Sequence, residues 1–323
     1  MQFSAAGGKL TRIPGGMTLS GVVMKTEYLE RANRIATDNV SSAQQVLKDT
    51  LDLLLDFCEK YSPEKGFIQE LKSISTTLSN AQAQMAALSN ISRLIGESSD
   101  RLSAEGIHGY IKSLREKVEE SSSKAAGRAA GLISNDRTYA TLSQSEFVIK
   151  TFETAAVSGK SAVVYVMESR PLYEGRQTAR ALKSMGHRPI LVSDAAIGFF
   201  VESIDAAFIG ADAILSDCTV VNKVGSFALA AACSVAGKGF HAITSVLKYD
   251  PEKKAIGFLN KEESPHEIFP NPEFEVRNIY FDKVTPRLVT SVVTEAGIMK
   301  PAAGNDQGTL QRRLEEAMKE IYG

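Results

Sequence analysis

The chain has 323 residues, 43% of them hydrophobic and 23% charged, with a formal net charge of −1. That length exceeds what one ordinary core supports and suits two domains, and a net charge this near zero carries no electrostatic footprint for nucleic acid. No apolar run reaches the ~18 residues of a membrane span, and three cysteines without a CxxC pair, beside four scattered histidines, argue against a metal site and for a reducing cytoplasm.

Residues 1–22 contain no charged segment followed by an apolar stretch, so they do not read as a signal peptide. Their Gly and Pro content predicts a flexible arm. Residues 23–132 read as a helical domain. Leu47, Leu51, Leu54 and Leu55 fall at i, i+4, i+7 and i+8, one face of a 3.6-residue period. Tyr61-Ser62-Pro63 ends that helix. A second helical stretch is predicted over residues 64–95, around Met85, Leu88 and Ile91. A third covers residues 103–132, with Ile107, Ile111, Leu114 and Val118 on one face.

The texture then changes, and residues 133–323 predict an α/β domain. Short apolar runs over residues 161–167, 189–192, 206–209 and 240–245 have the character of buried parallel strands. Helical segments are predicted between them at residues 176–185, 195–202 and 222–236. Alternation of this kind is a βαβ series, hence a Rossmann-like parallel sheet with helices on both faces. Residues 250–280, with Pro251, Pro265, Pro270 and Pro272, predict irregular chain. A last strand is expected over residues 288–294 and a charged helix over residues 309–322.

In open parallel sheets, ligands sit beyond the carboxyl ends of the strands. Those ends supply Glu168-Ser169-Arg170, Asp194, Asp212 and Ser245. Arg170 suits bidentate grip of phosphate or carboxylate. Gly175 suits close approach of an anion to the start of a helix. Asn222 and Lys223 read as opening a helix, again a favourable place for an anion. Asp212 suits general acid or base work. Each has a plainer reading: Asp194 and Asp212 as caps, Arg170 as the ion-pair partner of Glu174, the glycines as turn residues. No GxGxxG is present, so a dinucleotide cofactor is not expected. His187 reads as a surface loop residue, His241 as a core histidine, and Cys218 and Cys233 as packing residues.

The segment Glu168-Ser169-Arg170-Pro171, with Gly175, Ala179 and Leu182, resembles the "E-S/T-R-P…G…A…L" segment of the initiation factor 2B alpha, beta and delta subunits. Methylthioribose-1-phosphate isomerase and ribose-1,5-bisphosphate isomerase share that segment. Gly210-Ala211-Asp212-Ala213-Ile214 and Asn222-Lys223-Val224-Gly225-Ser226 are similar to the family's "G-A-D-x-I…N-K-I-G-T" signature. Asp282, Thr285-Pro286 and Thr294-Glu295-Ala296-Gly297 are similar to its carboxyl-terminal motif. The resemblance implies a helical domain before a Rossmann-like one, dimerisation through the latter, and initiation factor 2 alpha as a partner. It also implies a phosphosugar or nucleotide ligand.

The family's isomerases, by the same resemblance, use a Cys and an Asp. The Asp matches Asp212, but Ser143 stands at the cysteine position. The two phosphate-holding arginines are also missing, from residues 35–42 and 80–85, leaving Arg34 or Arg93 as substitutes. The resemblance therefore implies a non-catalytic regulatory subunit, with a phosphosugar aldose–ketose isomerase as the alternative.

Overall fold

The computed structural model describes residues 26–38, 42–62, 65–81, 84–258, 260, 262–301 and 307–323. The expected flexible arm at residues 1–22 lies outside them. Among the described residues five helices come first: α1 (Thr26–Ala36), α2 (Ala43–Tyr61), α3 (Phe67–Ala81), α4 (Ala86–Ser99) and α5 (Ala104–Ala130). Beyond α5 the chain runs β1 (Thr138–Leu142), α6 (Glu146–Val157), β2 (Val163–Met167), α7 (Gly175–Ser184), β3 (Arg188–Val192), α8 (Ile197–Phe200) and β4 (Ala206–Ile209). It continues through β5 (Ala213–Leu215), β6 (Val220–Lys223), α9 (Ser226–Val235), β7 (Gly239–Ile243), β8 (Tyr249–Asp250) and β9 (Phe281–Val284). β10 (Ser291–Thr294), β11 (Gly297–Met299) and α10 (Gln307–Tyr322) complete it.

The helical half follows its apolar periodicity. α2 begins at Ser42, whose hydroxyl accepts the Gln45 amide at 3.2 Å. It buries Leu47, Leu51 and Leu54 on the predicted face, joined by Leu53 and Phe57. Full burial of each leucine contributes about 2 kcal/mol. The single stretch expected over residues 64–95 is two helices, α3 and α4, packed on each other. Met85 stands at the corner with extended backbone, φ −92° and ψ 94°. Both helices bury an apolar face of the same period, so periodicity does not register the corner. α5 carries Ile107, Ile111, Leu114 and Val118 into the core, then Ala125, Ala126 and Ala129. Those small side chains let α6 pack closely against its second half.

The main sheet has the order β11-β10-β7-β4-β1-β2-β3 and is parallel except for the β10–β11 pair. The chain enters at β1, near the middle. It goes out to β2 and β3 on one side, then returns to β4 and proceeds to β7 and β10 on the other. β1 and β4 are parallel neighbours, with Tyr139 opposite Ala206, and their successors leave in opposite directions. The crevice beyond their carboxyl ends is thus where this topology leaves room for a ligand.

A second sheet, β8-β5-β6-β9, was not legible in the sequence. Its strands are two to four residues long, too short for an alternating pattern. It overturns one expectation directly. Asn222 and Lys223 do not open a helix; they end β6, paired with Asp282 and Phe281 of β9. The helix starts later because Gly225, at φ +101°, takes the left-handed turn that leads into α9.

The histidines and cysteines divide. His187 is buried rather than on the surface, because Nε2 lies 2.9 Å from the Phe152 carbonyl and Nδ1 accepts the Ala162 amide at 3.2 Å. His241 is a packing histidine, stacked on Phe208 and 2.8 Å from Ser291 Oγ. Cys218 and Cys233 are buried thiols, as packing residues are. Among the described residues no helix is long and apolar enough to cross a membrane.

Candidate functional site

A cavity of about 460 Å³ opens at that crevice, within the size range of small-molecule sites. Its α/β wall includes Ser143, Glu146, Glu174, Asp212, Asn222, Lys223 and Lys248. Its other wall comes from the helical half and includes Asp38, Gln44, Asn80, Gln84 and Met85. Of the residues singled out in the sequence, the fold brings Ser143, Asp212, Asn222 and Lys223 together. It leaves Arg170, Gly175 and Asp194 outside the cavity lining.

Those three act on the site's backbone. Asp194 accepts the amides of Ser169 at 2.8 Å and Arg170 at 2.7 Å. Ser169 Oγ in turn accepts the Ser143 amide at 2.6 Å, and the Ser143 carbonyl accepts the Thr178 hydroxyl at 2.7 Å. Ser143 is thereby held at φ +61° and Ser169 at φ +64°, a left-handed conformation unusual for residues with a side chain. Asp194 caps no following helix and does not line this cavity; its carboxylate is spent on two amides. Arg170 does not pair with Glu174. Its guanidinium donates to the Tyr173 hydroxyl and to the Ile268 carbonyl. Gly175 is required by packing, since a Cβ there would lie 1.9 Å from the Met167 carbonyl oxygen. Its amide donates to the Glu168 carbonyl at 3.3 Å, so it is not turned to an anion.

The strand-end residues are spaced by the same close packing. Gly210 lets the end of β4 pass Ser145, whose Oγ would lie 2.5 Å from an added Cβ. Ser145 accepts the Val148 amide at 3.4 Å and so caps α6, whose first turn borders the cavity. The start of α9 is closed instead: Asp282 accepts the amides of Gly225 at 2.8 Å and Phe227 at 3.1 Å. The anion position expected there is filled by the chain's own carboxylate. Asn222 meets Ser226 Oγ at 2.8 Å.

Two lysines stand in the described lining. Lys223 Nζ lies 2.6 Å from Glu174 and 4.3 Å from the centre of the Tyr280 ring. Lys248 is buried, and its Nζ donates to the Ala211 carbonyl at 2.7 Å. Burial pushes the Asp212 carboxyl above the usual carboxylate range, against the opposing pull of Lys248 and Lys223. Burial likewise draws the Lys248 ammonium below the usual lysine range, against Asp212 and Glu146. On the helical wall the described residues carry no cation, and Arg93 pairs with Glu97 in solvent at 3.0 Å. Lys248 and Glu174 were missed in the sequence. The available signal for Lys248 was a single lysine in the apolar run after Ser245, itself a strand-end residue.

At the seam of the two halves, Lys48 of α2 reaches Glu146 of α6 at 3.0 Å and Glu119 of α5 at 2.9 Å. Lys150 bridges the same two carboxylates, at 3.0 Å and 3.3 Å. Lys48 beside it holds the Glu119 carboxyl down to about 2. Burial opposes ionisation of Glu146, but Lys150 and Lys48 outweigh it and keep this carboxyl below the usual range.

This architecture is shared with known proteins. Ribose 1,5-bisphosphate isomerase of Archaeoglobus fulgidus is 29% identical over 286 residues, covering 85% of this chain and 90% of that protein. The translation initiation factor eIF-2B subunit 2-like protein of Pyrococcus abyssi is 25% identical over 280 residues, covering 86% and 98%. The crystal structure of translation initiation factor eIF-2B from Pyrococcus horikoshii superposes with a TM-score of 0.76 at 26% identity, covering 86% of this chain and 98% of that one. That of 5-methylthioribose 1-phosphate isomerase from the same organism superposes at 0.69 and 21%, covering 91% and 88%, a likeness of fold alone. Relatives thus include both initiation-factor-2B-like proteins and sugar-phosphate isomerases. The model of the initiation factor 2 subunit family matches residues 39–301, and this chain belongs to that family.

Proposed function

We propose that this chain is a binding and regulatory protein of the initiation factor 2B type, whose crevice holds a singly phosphorylated sugar or nucleotide without isomerising it. The observation that carries this reading is Ser143. It occupies the position at the end of β1 where the resemblance places a reactive cysteine. Among the described residues no base reaches its hydroxyl, and a serine without one yields almost no anion near neutral pH. The charge balance supports the same reading. The capped start of α6 and Lys223 suit one phosphate on the α/β side. A second phosphate has no cation on the described helical wall.

The isomerase reading has one feature in its favour, the Asp212 carboxyl in the crevice, raised by burial and suited to moving a proton. Thermal shift against ribose 1,5-bisphosphate, methylthioribose 1-phosphate and AMP, followed by an isomerase assay, separates the two. Stabilisation without turnover supports the binding protein. Turnover that disappears in Asp212→Asn overturns it. The reading extends to assembly with like subunits through the α/β domain and to contact with initiation factor 2 alpha. Co-purification with the alpha subunit tests the latter.

A further inference from the structure

We propose that Lys248 is an imine-forming amine, placed to capture the free carbonyl of an aldose phosphate in the crevice. This rests on the reading of the crevice as a phosphosugar site, and it adds a covalent step which that reading does not contain.

The two cavity lysines differ in the way the proposal needs. Lys223 has the Glu174 carboxylate at 2.6 Å and the Tyr280 ring centre 4.3 Å from its nitrogen. Lys248 has no carboxylate at ion-pair distance among the described residues. An ammonium carries three donors, yet among the described residues the Lys248 nitrogen meets one acceptor, the Ala211 carbonyl. Its other neighbour is the Phe147 ring, 5.3 Å from ring centre to nitrogen. A buried cation so poorly provided for is costly. The neutral amine needs less: one N–H goes to Ala211, and the lone pair is left for an electrophile. Burial shifts the protonation equilibrium in the same direction.

The segment that bears Lys248 is held from both sides. Asn90 of α4 donates its amide nitrogen to the carbonyls of Leu247 at 2.8 Å and Tyr249 at 2.7 Å, the two residues flanking the lysine. On the opposite side Glu295 accepts the Ser245 hydroxyl at 2.6 Å and the Val246 amide at 3.1 Å. Tyr322, near the end of α10, donates to Glu295 at 3.0 Å. Such fixing suits a group that must meet a bound carbonyl at one angle.

Asp212 completes the chemistry. The Lys248 nitrogen attacks the aldehyde carbon, and the C–N bond forms as the carbonyl oxygen takes a proton from the Asp212 carboxyl. The nitrogen returns a proton to Asp212. The carbinolamine hydroxyl then leaves as water, carrying that proton, as C=N forms. The second amine hydrogen restores the Asp212 acid. One hydrogen of the water is the original Asp212 proton and the other comes from the amine, whose second hydrogen replaces the Asp212 proton; no redox partner is needed.

The test is reductive trapping on the full chain with glycolaldehyde or ribose 5-phosphate and cyanoborohydride at neutral pH, with sites mapped by peptide mass spectrometry. Lys248 is expected to be alkylated at least about tenfold faster than exposed lysines, which stay protonated up to a pKa of about 10.4. Asp212→Asn is expected to slow Lys248 labelling roughly a hundredfold while leaving exposed lysines unchanged. Labelling at Lys248 no faster than at exposed lysines, with both probes, overturns the proposal. So does thermal stabilisation by ribose 5-phosphate without labelling, and in that case the binding reading stands. Rapid Lys248 labelling by glycolaldehyde, with neither labelling nor stabilisation by ribose 5-phosphate, supports the amine and removes the phosphosugar reading.

Discussion

The two walls of the crevice are built on different principles. On the α/β side nearly every position is constrained by backbone contact. Gly175 and Gly210 admit no Cβ without displacing a neighbour. Ser143 and Ser169 are held in left-handed conformations by a hydrogen-bonded chain running back to Asp194. Lys223 is locked to Glu174. On the helical side Asn80, Gln84 and Met85 line the cavity with their side chains from a corner between two helices. The contrast teaches that backbone packing fixes the wall that holds the sheet ends in place, while the facing wall is built from side chains.

The sharpest way to break that contrast is Gly175→Ala, which sets a methyl group against the Met167 carbonyl. Urea unfolding is expected to show a loss of about 4 kcal/mol. A loss under about 1 kcal/mol would mean that the α/β wall is no more constrained than its partner. Next in size is Glu146→Gln at the seam, which leaves buried Lys48 without its nearest partner in the α/β half. The expected cost is about 3 kcal/mol.

The same cluster fixes the acid response. Glu119 and Glu146 have depressed folded pKa values, so their contribution is complete above the unfolded value of about 4.3. It is lost as pH falls toward the folded value, about 2 for Glu119. Thermal melts between pH 5 and pH 2 are expected to fall less steeply in Glu146→Gln than in the parent. Parallel melting curves would remove the seam from the explanation.

A smaller effect is expected from Asn90→Ala, which removes both hydrogen bonds to the Lys248 segment and costs about 2 kcal/mol. The smallest sharpens the comparison from the other wall. Asn80→Arg places a cation where the described helical lining has none, and is expected to leave stability within about 0.5 kcal/mol. It is also expected to tighten binding of ribose 1,5-bisphosphate about tenfold, or about 1.4 kcal/mol, by calorimetry. Unchanged affinity would show that the helical wall does not set ligand charge.

Much of this molecule was legible before any coordinates. The leucine spacing of α2, the isoleucine and leucine spacing of α5 and the βαβ alternation follow from local apolar periods, because each element buries one face and the period of burial is written along the chain. Asp212 was found because strand ends are where such sheets bind, Asn222 and Lys223 as a supposed helix start, and Ser143 through the family resemblance; those four do line the cavity. What the tertiary structure alone decided is everything that depends on contacts distant in sequence. The second sheet pairs β6 with β9 across an irregular stretch, and that pairing moved Asn222 and Lys223 from a helix start to a strand end. Lys248 became a cavity residue through Asn90, whose bond to the adjoining Leu247 spans 157 positions, and Asp194 left the site because two amides in a neighbouring loop claim its carboxylate. A short strand and a lone charged side chain have no period of their own; their partners define them, and partners are set by the fold.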